Sequence, residues 1–297
     1  MNNLKGAIYG VFVGDALGTT YEFKKSSDVK LPVKLNIVGG GPFHVAKGQV
    51  TDDSEMTLAL LYSILKKKKY DKEDVAKAYI RWLKSEPKDN GITTAKALRN
   101  AKNYKDTVNN SIRLNSGSKS NGFLMRIAPL TILGLENLDK IIQEDVVITH
   151  SNKACYYTAK LYIYMLIYII NKGKDYKKEA LRIIDLDEHQ DVINLKHIVN
   201  SAEKTPYYRD IKIDGHMMGF MYVSLQIAFH YLYHSKDYEN AFKSIFKLGG
   251  DTDTNGAIAG AFLGAKFGYN KIPKRWIKTL EEADYDRPQE FKIKKIF

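Results

Sequence analysis

The stretch GAIYGVFVGDALG, residues 6–18, places a glycine at every fourth position, and GAIAGAFLGAKFG, residues 256–268, repeats the pattern near the other end of the chain. A four-residue spacing puts all the glycines of each run on one face of an α-helix. Each glycine costs a helix interior roughly 0.5–1 kcal/mol relative to alanine, so something must offset the cost. One explanation for the glycines is close packing of a helix face that carries no side chains. Because acidic residues adjoin each run, a role in a functional site is the alternative explanation.

The rest of the chain shows the same helical character. Apolar stripes of helical period recur at 56–65, 75–83, 139–149, 154–171, 190–202, 217–233 and 241–248. Only 33–38 alternates as a short strand does, and no linker rich in Pro, Gly or Ser interrupts the chain. The sequence therefore predicts an all-α fold in a single compact domain spanning residues 1–297.

Composition excludes several classes of protein. The 297 residues carry 46 basic and 34 acidic side chains, a net charge of +12. Because 38 of the basic residues are lysines scattered along helix faces, we do not expect a nucleic-acid-binding protein, although the surplus should attract phosphorylated ligands. The single cysteine, Cys155, excludes an intrachain disulfide framework and a Cys-rich metal site. The longest apolar run, 161–170, is too short to cross a membrane, so we expect a cytoplasmic monomer without membrane contact.

Two acidic motifs stand beside the glycine runs. The first is TDDS at 51–54, and the second is GGDTDT at 249–254. Helix capping explains one Thr or Asp oxygen in each motif. Two carboxylates and a hydroxyl in each offer more oxygen than a cap uses, and hard cations such as Mg²⁺ prefer these ligands. Together the motifs predict a site for a pair of metal ions.

Three other interpretations of the polar loops fail. An EF-hand beginning at Asp251 would need Glu at its twelfth position, where Phe262 stands. A phosphatase nucleophile at Asp251 would follow a buried strand, but 241–248 is helical in period. The loop GSKSNG at 117–122 lacks the glycine that directly precedes the lysine of a P-loop. That loop is either a plain surface loop or, with amide groups at a helix start and a nearby lysine, a seat for a diphosphate.

Three further residues have an ordinary and a functional interpretation. His150 lies between two apolar stripes, where a hydrogen-bonded boundary histidine is the ordinary case. Glu22 closely follows the first glycine run and could be an exposed acid. Asp89, in PKDNG at 87–91, has the surroundings of a turn residue.

Taken together and in order, the motifs resemble those of the ADP-ribosylglycohydrolase family, which includes the dinitrogenase reductase-activating glycohydrolases. They are GDALG at 14–18 with Tyr21-Glu22, TDDS at 51–54, NG at 121–122 with Met125-Arg126 and Pro129, Thr149-His150, and GGDTDT at 249–254. The resemblance covers the chain from Gly6 to about Trp276 and implies the compact orthogonal helical fold of that family. Ser54 departs from it, because threonine is commoner there.

The resemblance also implies roles for individual residues. It implies two Mg²⁺, with Mn²⁺ as a substitute, held by Thr51, Asp52, Asp53, Asp251, Asp253 and Thr254. It implies that substrate is bound by Asp89, Gly117, Ser118, Lys119, Ser120, Asn121, Gly122 and His150. Asp52 or Asp53 is expected to orient or deprotonate a water, with Glu22 as the alternative.

The activity implied is hydrolysis of the bond between ADP-ribose and an acceptor on a protein. Because a carboxylate at Asp89 can pair with a guanidinium in two hydrogen bonds, we expect arginine as the acceptor, with serine as the alternative linkage. The alternative function is a non-catalytic module that binds ADP-ribose. Retention of oxygen-bearing side chains at all six metal positions favours catalysis.

Overall fold

A computed structural model describes residues 1–296, and its regular structure is helical. Phe297, the last residue of the predicted domain, lies outside the described residues. The α-helices are α1 (Asn2–Gly18), α2 (Asp52–Lys67), α3 (Lys72–Lys84), α4 (Ile92–Leu98), α5 (Tyr104–Asn115), α6 (Leu138–Val146), α7 (Lys153–Ile170), α8 (Tyr176–Ile184), α9 (Val192–Ser201), α10 (Met221–His234), α11 (Tyr238–Lys247), α12 (Thr252–Phe267) and α13 (Lys274–Glu281). Within residues 1–296 β-pairing is limited to two isolated bridges, so the all-α prediction is confirmed. No helix in this range is both long and apolar enough to cross a membrane.

The two glycine runs form α1 and α12, which pack against each other in antiparallel orientation. Gly10 faces Gly260 and Gly14 faces Gly256, so closely that a Cβ on any of these glycines would lie less than 3 Å from the backbone of the other helix. The interpretation of the glycines as a close-packing surface is therefore confirmed. The packing also has a consequence for function, because it brings the end of α1 to the beginning of α12. There the Thr252 hydroxyl donates to the carbonyl of Gly18 (2.7 Å).

The predicted strand at 33–38 is wrong. The segment is an irregular loop, because side chains rather than a partner strand satisfy its backbone. Glu239 accepts a hydrogen bond from the amide of Leu35 (2.7 Å), and the indole of Trp276 donates to the Leu35 carbonyl (2.8 Å).

The expected helix after the loop at 117–122 is also wrong. The chain forms two short 3₁₀ helices, Asn121–Phe123 and Ala128–Leu133. Pro129 lies at the start of the second, where its missing N–H costs nothing but prevents a longer α-helix across this point. The stripe at 217–233 becomes helical only from Met221, which leaves residues 216–220 as a turn beside the loop.

Candidate functional site

The first turn of α2 is fixed by a carboxylate from α1. Asp15 is fully buried and accepts hydrogen bonds from the backbone amides of Thr51 (3.1 Å) and Ser54 (3.1 Å) and from the Ser54 hydroxyl. The Thr51 hydroxyl lies 3.0 Å from both Asp15 and Asp53. Asp15, rather than Thr51, therefore caps α2, and it joins the glycine seam to the first acidic motif.

Sequence patterns indicate no role for Asp15 at the site, although it stands in the GDALG motif at 14–18. Its partners are 36 and 39 residues away in the chain, so no local pattern reveals them.

Two groups of three carboxylates meet at Asp253, on the first turn of α12. Oxygens of Asp15, Asp53 and Asp253 lie within 4.8 Å of one another, and so do oxygens of Glu22, Asp89 and Asp253. Within these two groups, three buried carboxylate oxygens have no hydrogen-bond partner among residues 1–296: Oδ1 of Asp53, Oδ1 of Asp253 and Oε2 of Glu22. Unpartnered buried carboxylate oxygens are costly unless a cation or donor joins them.

The charge state of these groups reflects the same crowding. Burial and then repulsion from Asp251 and Asp52 raise the pKa of Glu22 to about 9. Burial and then repulsion from Asp52 and Glu22 raise the pKa of Asp89 to about 10. The pKa values of Asp53 and Asp253 are also raised well above the usual range, mainly by burial. The cluster cannot carry its full negative charge alone, and its all-oxygen donor set fits a hard cation.

The remaining acidic residues face an open cleft of about 410 Å³. Burial raises the pKa of Asp52 to about 6, while hydrogen bonds from the Gly91 amide (3.3 Å) and the Asp89 side chain lower it. Asp251 accepts from the Asn121 side-chain amide (2.7 Å). Of the seven residues expected to act as ligand or base, four line the cleft: Glu22, Asp52, Asp251 and Thr254. Thr51, Asp53 and Asp253 are buried and do not line it, and the Thr51 hydroxyl is already engaged by carboxylates.

The loop at 117–122 forms the opposite wall. It pairs with the turn at 216–220: the Asn121 amide donates to the Gly219 carbonyl (2.9 Å), and the Met221 amide donates to the Lys119 carbonyl (3.0 Å). The backbone N–H of Asn121 is therefore not available to a ligand. Ser120, Asn121 and Gly122 line the cleft with Asp89. Ser118 lies behind the wall, where its hydroxyl contacts that of Thr93 (3.0 Å).

A second cavity, of about 540 Å³, continues the cleft on the far side of this loop. It is lined by Gly117, Lys119, Ser120, His216, Met217, Gly219 and Phe220. Ser120, His216 and Gly219 border both cavities, so the two form one elongated site. The apolar stripe at 217–233 had predicted a helix through 217–220, and no pattern indicated a role for His216. The local signals of a turn are Asp214-Gly215, just before the segment, and Gly219 within the apolar stripe.

His150 does not line the cleft but stands one hydrogen bond behind it. Its Nε2 lies 2.8 Å from the Ser120 hydroxyl, and its Nδ1 lies 2.8 Å from the Thr149 hydroxyl. That hydroxyl also accepts from Nη1 of Arg126 (2.9 Å), which is fully buried beside Asp145.

The direction of these hydrogen bonds follows from pairing every buried hydrogen. Arg126 can only donate, so the Thr149 hydroxyl accepts from it. The only acceptor within reach of the Thr149 hydroxyl hydrogen among residues 1–296 is Nδ1 of His150, so Thr149 donates to Nδ1. Burial and the nearby Arg126 hold the pKa of His150 well below its ordinary value, so the ring is neutral. Its remaining proton is on Nε2 and is donated to Ser120, which leaves the Ser120 hydroxyl hydrogen available to a ligand.

Comparison with known proteins is consistent with this geometry. The family model described as ADP-ribosylglycohydrolase matches residues 1–293. The ADP-ribosyl-[dinitrogen reductase] glycohydrolase of Rhodospirillum rubrum is 29% identical, over 93% of this chain and 89% of its own. The ADP-ribosylarginine hydrolase Tri1 of Pseudomonas putida is 28% identical, over 94% of this chain and 74% of its own. A solved structure described as an ADP-ribosylglycohydrolase-related protein complex superimposes with a TM-score of 0.73, at 25% identity over 94% of this chain and 92% of its own.

Proposed function

This chain belongs to the ADP-ribosylglycohydrolase family, enzymes that hydrolyse glycosidic bonds, and we propose that it releases ADP-ribose from an arginine side chain of a modified protein in a reaction that requires two Mg²⁺. The observation that carries the proposal is the pair of carboxylate groups sharing Asp253, with unpartnered oxygens at the end of an elongated cleft.

The acidic residues would hold the metal ions. Asp53 and Asp253 are the buried ligands, and Asp52, Asp251 and Thr254 approach from the cleft side. Asp15 holds Thr51 and the first turn of α2 in place. The two sets of three carboxylates, which share Asp253, support a count of two metal ions. When bound, Mg²⁺ or its substitute Mn²⁺ supplies the positive charge that offsets the carboxylates and polarises ribose hydroxyls and water.

The residues of the cleft divide the chemical work. Cleavage breaks the bond between ribose C1″ and the guanidinium nitrogen through an oxocarbenium-like transition state, which nearby carboxylates stabilise electrostatically. The oxygen of a water bonds to C1″ as the C–N bond breaks. Asp52 and Glu22 both face the cleft and are the candidates to take the proton of that water and pass it to the leaving guanidine nitrogen. Asp53 lies beneath them, so we assign it to metal binding alone.

The charge of the cleft supports arginine as the acceptor. Asp52 and Asp251 are assigned to the metal ions, which leaves Glu22 and Asp89 as the cleft carboxyls whose charge a guanidinium would offset. The charge of a bound guanidinium favours the ionised form of Asp89, which can then accept two hydrogen bonds from it. A neutral serine linkage would bring these two carboxyls no positive charge. The Pseudomonas putida relative is named for the arginine linkage, which adds support.

The loop at 117–122 would hold the diphosphate. Lys119 supplies positive charge, and the Ser120 hydroxyl, held by His150, supplies a hydrogen-bond donor. Lys119 lines the cavity of about 540 Å³. Its Nζ lies 3.9 Å from Asp191, a distance at which the carboxylate does not fully neutralise the lysine.

The packing of α1 on α12, near opposite ends of the chain, supports one domain over residues 1–297. We expect it to act as a cytoplasmic monomer.

The test is release of free ADP-ribose from matched arginine-linked and serine-linked ADP-ribosyl peptides, each with Mg²⁺ and with EDTA. We expect release from the arginine-linked peptide with Mg²⁺ only. Release from the serine-linked peptide alone would overturn the linkage. Tight binding of ADP-ribose without release from either peptide would favour a binding module instead.

A further inference from the structure

Beside the mouth of the cleft lies a groove with an excess of positive charge. Two adjoining cavities of about 640 and 650 Å³ share Arg99, Asn100 and Lys102, in the connection between α4 and α5. The basic residues lining them are Lys84, Lys96, Arg99, Lys102 and Arg113, against two acids, Glu86 and Asp106. Asp106 already accepts the backbone amide of Lys102 (2.9 Å). We call this surface the α4–α5 groove.

We propose that the α4–α5 groove binds an acidic segment of the protein substrate, a few residues from the ADP-ribosylated arginine. This inference rests on the proposed function for the identity of the modified residue. The groove itself is separate from the catalytic machinery, since none of its basic residues lines the cleft.

The arginines of the groove are exceptional in this chain. The protein has only eight arginines among 46 basic residues, and five of the eight pair with carboxylates: Arg81, Arg126, Arg182, Arg275 and Arg287. Arg209 stacks on Tyr208 and donates to Asn194. Arg99 and Arg113 have no carboxylate oxygen of residues 1–296 within 4 Å, and both lie in the groove, where Arg113 donates to Oδ1 of Asn110 (3.3 Å). A guanidinium matches the two oxygens of a carboxylate better than a lysine does.

The position of the groove suits a substrate that leaves the cleft. Gly91, Ile92, Thr93 and Thr94 line the cleft wall, and α4 runs from Ile92 to Leu98. At 1.5 Å of rise per residue, Arg99 lies about 7 to 10 Å along the helix axis from the residues of α4 that line the wall. An extended peptide covers this gap with roughly three to five residues.

The lining favours a peptide over a nucleic acid. Single-stranded nucleic acids bind grooves in which aromatic rings stack on the bases. The two cavities have no aromatic residue among the side chains that line them in residues 1–296. Exposed asparagines, Asn100 and Asn109, instead offer amide groups suited to a peptide backbone. An acidic cleft beside a basic groove complements an arginine that is followed or preceded by acids.

The experiment uses two ADP-ribosylarginine peptides that differ only in carrying three Glu or three Gln at positions three to five residues on either side of the arginine. We expect the Glu peptide to have a kcat/KM about tenfold higher at low salt, with the advantage shrinking in 0.5 M NaCl. Arg99→Glu with Lys102→Glu should remove the advantage and leave hydrolysis of free ADP-ribosylarginine unchanged. Lys66→Glu with Lys69→Glu, the same charge change at the far end of α2, should leave it intact.

Binding of the unmodified peptides provides a readout that does not depend on catalysis. The Glu peptide should bind the wild-type protein more tightly than the Gln peptide, and the Arg99/Lys102 variant should not distinguish them. Equal kcat/KM and equal binding for the two peptides would overturn the proposal. So would a single-stranded oligonucleotide that binds through Arg99 and Lys102 where the Glu peptide does not. If neither the wild-type protein nor any variant hydrolysed free ADP-ribosylarginine, but the wild type still bound the Glu peptide selectively, the proposed activity would be rejected. The assignment of the α4–α5 groove would stand.

Discussion

Helix α2 carries buried carboxylates of two kinds within its first turn. Glu55 accepts hydrogen bonds from Nε (2.8 Å) and Nη2 (2.7 Å) of Arg287 and from the indole of Trp82 (2.8 Å). Asp53, two residues earlier, is surrounded by other carboxylates and has one oxygen without a partner. The first turn of α2 thus carries Glu55, whose charge Arg287 balances, and Asp53, which has no cationic side chain beside it.

A second pair repeats the contrast elsewhere. Asp145 and Arg126 are both fully buried and 3.2 Å apart. No arginine or lysine of residues 1–296 pairs in this way with Asp53 or Asp253. Removing the acid of a buried pair would leave its arginine without a countercharge and destabilise the fold. The acids of the shared cluster have no such partner, so their burial reduces the stability of the metal-free fold. Replacing an acid by its amide should therefore have opposite effects in the two places.

The largest effect is expected for Asp253→Asn. Loss of the shared ligand should lower Mg²⁺-dependent kcat by about 10³-fold or more, equivalent to roughly 4 kcal/mol of barrier. Without metal, the variant should be more stable than the wild type at pH 8, because one raised-pKa carboxyl is gone from the cluster. Steady-state kinetics and urea unfolding in EDTA measure the two changes. A near-normal rate would contradict the assignment of Asp253 as a ligand.

Glu55→Gln should have the opposite effect on stability. It leaves the Arg287 guanidinium buried without its countercharge, which costs about 3 kcal/mol. Glu290→Gln is the matched control, because its partner Arg81 is an exposed arginine and the pair contributes roughly 0.5 kcal/mol or less. Urea unfolding compares the two. A loss for Glu55→Gln no larger than that of the control would remove the distinction between the two kinds of acid.

The same cluster should give metal-free protein an unusual pH dependence. Glu22 and Asp89, with folded pKa values of about 9 and 10, keep protons in the folded state that unfolded carboxyls lose near pH 4. The folded state then binds more protons than the unfolded state from about pH 5 to 9, so stability falls as pH rises, by up to ~1.4 kcal/mol per pH unit for each proton. Urea unfolding in EDTA across this range measures the slope. Glu22→Gln should reduce it by about one proton, and an unchanged slope would contradict the pKa of Glu22.

Sequence patterns captured the parts of this arrangement that depend on local spacing. The four-residue glycine repeat predicted two helices with bare faces, and the acidic motifs placed Asp52, Asp53, Asp251 and Asp253 at helix starts. Both follow from helix geometry over a few residues.

What spacing could not supply was partners from distant parts of the chain. Asp15 acquires its role through Thr51 and Ser54, and the turn at 216–220 becomes a wall only by pairing with the loop at 117–122. At 33–38 the alternating pattern was real, but Glu239 and Trp276 took the backbone groups that a strand needs. Glu55 and Arg287 are 232 residues apart, and no pattern in the sequence indicates that they form an ion pair.

The smallest effect on activity is expected for a substitution in the hydrogen-bond chain that connects the buried Arg126–Asp145 pair to the cleft. Arg126, held by Asp145, fixes the Thr149 hydroxyl, and through His150 that hydroxyl sets which way the Ser120 proton points. Thr149→Val keeps the volume but breaks the chain, so Ser120 is free to turn its proton toward His150. Losing one oriented donor to the ligand should raise KM about fivefold, or roughly 1 kcal/mol, with kcat unchanged because the carboxylates are untouched.

Thr158→Val distinguishes this effect from a general loss of stability. Its hydroxyl is equally buried and donates to the carbonyl of Ala154 (2.8 Å), one turn earlier in α7, with no path to the cleft. Both variants should lose some stability, but only Thr149→Val should change KM, and Thr149→Ser should restore it. An equal rise in KM for both valine variants would mean that packing, and not the direction of the Ser120 hydrogen bond, holds the loop. In that case the buried Arg126–Asp145 pair would belong to the fold alone, as the Glu55–Arg287 pair does.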